Sequence, residues 1–170
     1  NSKNYGDNWI SAGYALWFLR EAKYINNARM MFGTSCAVSG TGFLVSNEVF
    51  KKNGGWKHHL LTEDIEFSID SVIHGECIGY CNSAIIYDEQ PTTFKASWNQ
   101  RLRWSKGFYQ VFFNYAKQLC ANIFKKHSFA AYDMFMTIAP GILLTLTTFV
   151  LGIVGVIYGL LNPVYMNVML

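Results

Sequence analysis

From Met134 to Leu161 the chain runs 28 residues without a charged side chain. A helix needs about 20 apolar residues to cross the hydrocarbon core of a bilayer, so this run is long enough even when tilted. All 14 lysines and arginines lie at or before Lys126, and the last acidic residue is Asp133. Charge and apolar character are therefore segregated along the chain. Hydrophobic residues make up 51% and charged residues 15%, a balance that leans towards a membrane protein. Lys125 and Lys126 beside the run place the preceding domain in the cytoplasm. Pro140-Gly141 marks the start of the span or a kink in it. Gly152, Gly155 and Gly159 offer a small-residue face for helix packing. Asn162-Pro163 is a turn signal, and residues 164–170 read as the beginning of a second span. The protein is expected in the cell membrane as a multi-pass chain.

The chain begins at Asn1 without Met or a signal peptide and stops inside an apolar stretch, Val168-Met169-Leu170. It reads as a piece of a longer protein. Before Asp133 there are 14 basic and 10 acidic residues, scattered and without a basic stripe, so no nucleic-acid partner is expected. Cys77 and Cys81 lack a second cysteine pair or a nearby histidine pair, which leaves little support for a zinc site. All four cysteines are expected to be buried, reduced thiols of a cytosolic domain.

Hydrophobic spacing predicts a helix over residues 8–30, where Trp9, Ile10, Tyr14, Trp17, Phe18 and Ile25 recur at near-helical intervals. Residues 32–46 are rich in small and β-branched types and read as short strands meeting at Ser39-Gly40-Thr41-Gly42. That glycine pair suits either a close approach to a ligand or an ordinary tight turn. Asn47 to Lys52 fits a short helix stopped by Asn53-Gly54-Gly55. Thr62 is placed to cap the next helix, whose buried face is Ile65, Ile69, Val72 and Ile73 and whose end is Gly75. Cys77 to Cys81 and Ala84 to Tyr87 read as two further strands. A long helix is predicted over 96–121, with an apolar stripe of Phe108, Val111, Phe112, Tyr115 and Leu119. The stripe fits packing on the domain or the headgroup region of a membrane.

Two polar clusters stand out. Glu63-Asp64-Ile65-Glu66 opens the helix after Thr62, where carboxylates complement the helix dipole whatever else they do. Trp98-Asn99-Gln100-Arg101-Leu102-Arg103-Trp104 sets two guanidiniums, two amides and two indoles on the long helix. Gln100, Arg103 and Trp104, at i, i+3 and i+4, share one face, whereas Arg101 is turned off it. A surface cation–π pair of Arg103 and Trp104 is the plainer reading of that face.

Thr62-Glu63-Asp64 followed by Gln100-Arg101-Leu102-Arg103-Trp104, 38 positions on, and then by an apolar span resembles the membrane-integrated family 2 glycosyltransferases. The likeness is to the processive β-glycan synthases: cellulose, poly-N-acetylglucosamine, chitin and hyaluronan synthases. Their shared signature is T-E-D, then Q-x-x-R-W, then transmembrane helices. The resemblance covers roughly residues 28–161. It implies an α/β chain, the C-terminal, acceptor-side half of a GT-A domain, followed by an interfacial helix and a transmembrane helix. The expected divisions are 1–95 for the cytosolic acceptor-side part, 96–128 for the interfacial helix, 129–161 for the span, and 162–170 for a second membrane segment. The nucleotide-binding half with its D-x-D motif does not lie in these residues, which contain no Asp-x-Asp. No metal ligand is therefore assigned here. A Mg²⁺ or Mn²⁺ ion is expected from the preceding half, and this segment alone is expected not to turn over.

The activity the resemblance implies is inverting transfer from a nucleotide sugar, UDP-linked in most such enzymes, to the end of a growing β-glycan, coupled to export. Asp64 would be the general base, and Glu63 would tune or orient it. Gln100 and Arg103 would bind the donor diphosphate, with Arg101 a weaker candidate beside them. Trp104 would stack on the terminal acceptor sugar, while Thr62, Ser39 and Gly40 would line the site. Two alternatives remain open. One is transfer of a single sugar to a membrane lipid. The other is a membrane-anchored carbohydrate- or nucleotide-binding module without catalysis. The donor sugar, the linkage and any accessory subunit are not specified by these residues.

Overall fold

The structure is a computed structural model, and it describes residues 1–161. The second span expected after residue 163 lies outside the described residues. Six α-helices are present among them: α1 (Trp9–Leu19), α2 (Asn27–Met31), α3 (Asn47–Lys52), α4 (Glu63–Ile73), α5 (Phe94–Lys126) and α6 (Phe129–Leu161). A π-helical stretch, Arg20–Asn26, joins α1 to α2 without a break. Asn8 starts α1 with a capping box: its side chain accepts the N–H groups of Ile10 and Ser11, and Ser11 Oγ accepts the N–H of Asn8. The helix expected over 8–30 thus forms, with a register slip in its second half that a count of apolar intervals does not reveal.

The expected strands do not form among the described residues. Ser2 and Asp88 make one isolated parallel bridge. Residues 34–38 and 76–81 meet through a single backbone bond, Cys36 N–H to Ile78 O at 2.8 Å. Side chains take the remaining ladder positions. Asn26 bonds both the N–H and the C=O of Ala37, at 3.1 and 3.0 Å. Ser68 Oγ takes the Val38 N–H at 2.8 Å, and Ser35 Oγ takes that of Ile78 at 3.0 Å. With its donors and acceptors spent on side chains, this backbone cannot propagate a sheet. Among the described residues the chain forms helices joined by irregular segments, so the expected α/β class is not seen there.

The core lies where α4, α5 and α6 meet. Ile69 and Val72 of α4 pack with Val111 and Leu119 of α5, with Ala131, Met134 and Ile138 of α6, and with Ala37. The stripe on α5 is used here: Phe108, Phe112 and Tyr115 complete the same cluster. The opposite face of α5 leaves Trp98, Leu102, Phe113 and Phe124 exposed. Cys36 is buried, Cys120 is half-buried, and Cys77 and Cys81 are exposed, so of the four thiols expected to be buried only Cys36 is fully so.

Helix α6 has two parts. Up to Ile142 one face is buried against the domain through Ala131, Met134, Ile138, Ala139 and Ile142. From Leu143 to Leu161 nearly every large side chain is exposed. That second part is about 28 Å long at 1.5 Å per residue, close to the thickness of a hydrocarbon core. By length and composition α6 is able to cross a membrane. Pro140 lies within the helix without ending it. Thr145 and Thr148 turn their hydroxyls back onto the carbonyls of Gly141 and Leu144, at 2.7 and 2.8 Å, so neither needs water. Gly152 and Gly155 have open space beside them.

Two contacts fix how these elements sit. Arg29 donates to Asp133 at 2.7 and 3.3 Å and to Thr137 Oγ1 at 2.9 Å, tying α2 to the base of α6. Its side chain is only 8% exposed. Second, α5 passes so close to Thr62 that a Cβ placed on Gly107 would lie 2.5 Å from Thr62 Cγ2 and 2.6 Å from its Oγ1.

Four variants of the full-length protein in detergent test these two contacts. Asp133→Ala leaves a buried guanidinium uncompensated and costs about 3 kcal/mol, read as a lowered melting temperature. Glu89→Ala, which breaks only the exposed Lys3 pair, changes it by no more than about 0.5 kcal/mol. Gly107→Ala gains helix propensity but overpacks Thr62, for a net loss of about 1–2 kcal/mol. Gly13→Ala in α1, where nothing lies within 4 Å of the new methyl, is neutral or stabilising by up to about 1 kcal/mol.

Candidate active site

The turn before α4 delivers Thr62, Glu63 and Asp64. Thr62 occupies the cap position, with φ −126° and ψ 67°, but its side chain makes no capping bond. Its buried hydroxyl faces Gly107 instead and has no hydrogen-bond partner. The side-chain cap expected from the sequence is thus absent, because α5 occupies the space in which Thr62 packs. Glu63 and Asp64 still fall in the first turn, where the dipole favours them.

Asp64 points away from the helix core. One carboxylate oxygen takes the Ile65 N–H at 2.8 Å. The other lies against Gly40, 3.6 Å from the point a Cβ there would occupy. Burial pushes the Asp64 carboxyl above the ordinary carboxylate range. The charge of Glu63 adds to this, and the N–H groups of Ile65 and Gly40 oppose it without cancelling it. The Ser39–Gly42 turn therefore lies directly against the carboxylate. Its geometry is held by Gly42, at φ 73°, whose missing side chain leaves room for Ile86.

Helix α5 crosses this turn. Arg103 Nη1 donates to the carbonyl of Leu61 at 3.3 Å, and Gln110 Oε1 accepts the Leu61 N–H at 3.4 Å. The rest of the Arg103 side chain is exposed. Gln100 is half-buried, and its amide oxygen is buried without a partner. Trp104 is half-buried and held by two rings of α1. Tyr14 meets it at 6.0 Å and 70°, Phe18 at 6.2 Å and 88°, both edge-on geometries favourable to aromatic pairs. Arg101 lies over the Tyr14 ring at 5.3 Å, and Tyr14 is anchored in turn through its hydroxyl to Ser97. The cation–π contact considered for Arg103 and Trp104 therefore falls on Arg101 and Tyr14.

Thr62, Asp64, Gly40 and Arg103 are thus gathered about one turn, whereas Arg101 and Trp104 contact α1. The spacing of polar motifs missed Gly107, which permits the crossing. It also missed Tyr14 and Phe18, which hold Trp104. One signal was available for the first: Gly107 is an isolated glycine in a strong helical pattern, seven residues after Gln100 and on its face. Among the described residues no three His, Cys, Asp or Glu side chains are grouped to hold a metal ion. A divalent ion does not fit the groups present.

A curated protein named as a probable glycosyltransferase, YdaM of Bacillus subtilis, is 31% identical over 100 residues, 59% of this chain and 24% of that protein. A beta-monoglucosyldiacylglycerol synthase of Synechocystis is 29% identical over 97 residues, 57% of this chain and 20% of its own length. Glucomannan 4-beta-mannosyltransferase 1 of Cyamopsis tetragonoloba is 30% identical over 81 residues, 48% of this chain and 15% of that protein. The chain thus spans at most about a quarter of the length of these relatives. No solved structure matches. The profile described as Glycosyl transferase family group 2 matches residues 2–168, nearly the whole sequence, and the chain accordingly belongs to that family of enzymes.

Proposed function

We propose that this chain is the acceptor-side part of a membrane-anchored, inverting glycosyltransferase that extends a β-glycan from a nucleotide-sugar donor. The observation that carries the reading is the crossing of α5 over the Thr62–Asp64 turn, with Gly107 against Thr62 and Arg103 on the Leu61 carbonyl. It sets a carboxylate and a guanidinium on neighbouring elements of one open turn.

Inverting transfer needs a proton removed from the acceptor hydroxyl as it attacks, and charge absorbed on the departing diphosphate. Asp64 takes the proton; its raised pKa makes it a stronger base than an ordinary carboxylate. Glu63 contributes to that shift through its like charge. Arg103, held at one nitrogen by Leu61, has further N–H groups to offer the diphosphate, and its planar fork suits phosphate oxygens. Gln100 offers its amide N–H groups to the diphosphate beside Arg103, and Thr62, packed under Gly107, shapes the turn that carries Asp64. Trp104, fixed by Tyr14 and Phe18, presents an oriented ring for the terminal acceptor sugar. Ser39 and Gly40 border the acceptor. Helix α6 spans the bilayer from Leu143 onward, Lys125 and Lys126 keep the catalytic part cytoplasmic, and the exposed face of α5 lies towards the headgroups.

A second reading is transfer of one sugar to a lipid. The similarity to a protein named beta-monoglucosyldiacylglycerol synthase favours it. Product analysis separates the two: a polymer supports the first reading and a single glycolipid the second.

Asp64→Asn in the full-length enzyme lowers kcat by about 10²- to 10⁴-fold with normal expression. In the wild type, activity is lost as pH falls through the raised pKa of Asp64. The acid limb of the kcat profile therefore lies above the ordinary aspartate value of about 4. Retained turnover in Asp64→Asn, or an acid limb at or below that value, contradicts the role of Asp64 as base.

A further inference from the structure

Helix α4 carries two buried carboxylates that face away from the substrate side. Glu66 is 6% exposed and Asp70 7% exposed. Glu66 follows Asp64 by two positions, about 200° round the helix, so the two acids point in nearly opposite directions. Glu66 uses both oxygens on neighbouring segments. Oε2 accepts the Leu60 N–H at 3.0 Å, and Oε1 accepts the Tyr115 hydroxyl of α5, also at 3.0 Å. Burial, together with Glu66, holds the Tyr115 pKa above its ordinary range, so the phenol stays a donor. Asp70 secures the start of the same loop through Lys57 Nζ at 3.0 Å and His58 Nε2 at 3.1 Å. Burial alone would raise the Asp70 pKa, but Lys57 and His58, with His74 Nδ1 3.3 Å from its other oxygen, bring it below the ordinary value. Leu60 and Leu61, the two residues before Thr62, are therefore tied through their backbones to α4 by Glu66 and to α5 by Gln110 and Arg103.

We propose that Glu66 and Tyr115 are a positioning pair: they lock the Leu60–Thr62 turn and the roll of α4 between the long helix and the loop, and so aim Asp64 at the acceptor. Neither side chain touches substrate. The proposal rests on Asp64 being the base. Removing the Tyr115 hydroxyl leaves Glu66 with one bond. Changing Glu66 to Gln puts an amide NH₂ against one of two donors, so one contact is lost whichever way the amide turns.

The test uses the full-length enzyme in membranes, with Tyr115→Phe, Glu66→Gln and the double variant measured beside Asp64→Asn. The expected result for each single variant is a kcat about tenfold lower, with the donor KM within about twofold of wild type. The acid limb of the kcat profile shifts, because Asp64 no longer sits in the same burial against Gly40. The double variant is no worse than the poorer single one, since both changes break one linkage. Wild-type kcat and an unmoved acid limb in Tyr115→Phe, with Asp64→Asn inactive, overturn the pair and leave the base assignment standing. A fall in kcat that only follows the folded fraction, with the acid limb unmoved, also overturns it. An active Asp64→Asn overturns base and pair together. If Glu66→Gln does not accumulate as folded protein, Tyr115→Phe, which removes a single oxygen at a half-buried site, carries the test alone.

Discussion

The contact on which the site depends is steric: α5 rests on Thr62 because residue 107 has no side chain. Around that crossing the chain satisfies the turn by small polar links, Arg103 and Gln110 to Leu61 and Glu66 to Leu60. None is worth more than about 1–3 kcal/mol by itself. Together they leave the residues before Asp64 little freedom. A base and a diphosphate clamp act on one substrate only if their separation is fixed, and misplacement by 1 Å is able to cost about a hundredfold in rate. Rigid docking of α5 on α4 supplies that fixity from elements that are otherwise packing devices.

The same helix pair joins the candidate site to the long apolar helix. The apolar side of α5 is buried with α4 and with the first half of α6, so the long apolar helix is a continuation of the domain core. The Arg29–Asp133 pair fixes α6 to α2, using the last charged residue before the apolar run. Its mutual neutralisation allows both groups to be largely desolvated near the start of that run. The position of α6 relative to Asp64 is set by this packing.

Much of this was legible in the sequence where a pattern has a single physical meaning. The uncharged run could only be a long apolar helix, and the faces of α4 and α5 followed from helical spacing, with Ile69, Val72, Val111 and Leu119 in the core. What the sequence did not reveal depended on competition between partners. β-branched residues at 32–46 favoured strands, yet Asn26, Ser35 and Ser68 took the bonds a ladder needs. Thr62 had the right chemistry for a cap and lost that role to the approach of α5. Arg101, turned off the motif face, found Tyr14, a partner 87 positions earlier that no local spacing reports. Pairings across the chain were the hidden part, and they decide which side chains remain free for substrate.

The most direct measurement is an experimental structure of the full-length enzyme in a lipid bilayer with donor and acceptor bound. The account predicts that Gly107 stays against Thr62, that Arg103 bonds the Leu61 carbonyl and the diphosphate together, and that the Asp64 carboxylate lies within hydrogen-bond reach of the attacking hydroxyl on the opposite face of the sugar. An acceptor hydroxyl remote from Asp64, or an Arg103 that meets no phosphate oxygen, would contradict it.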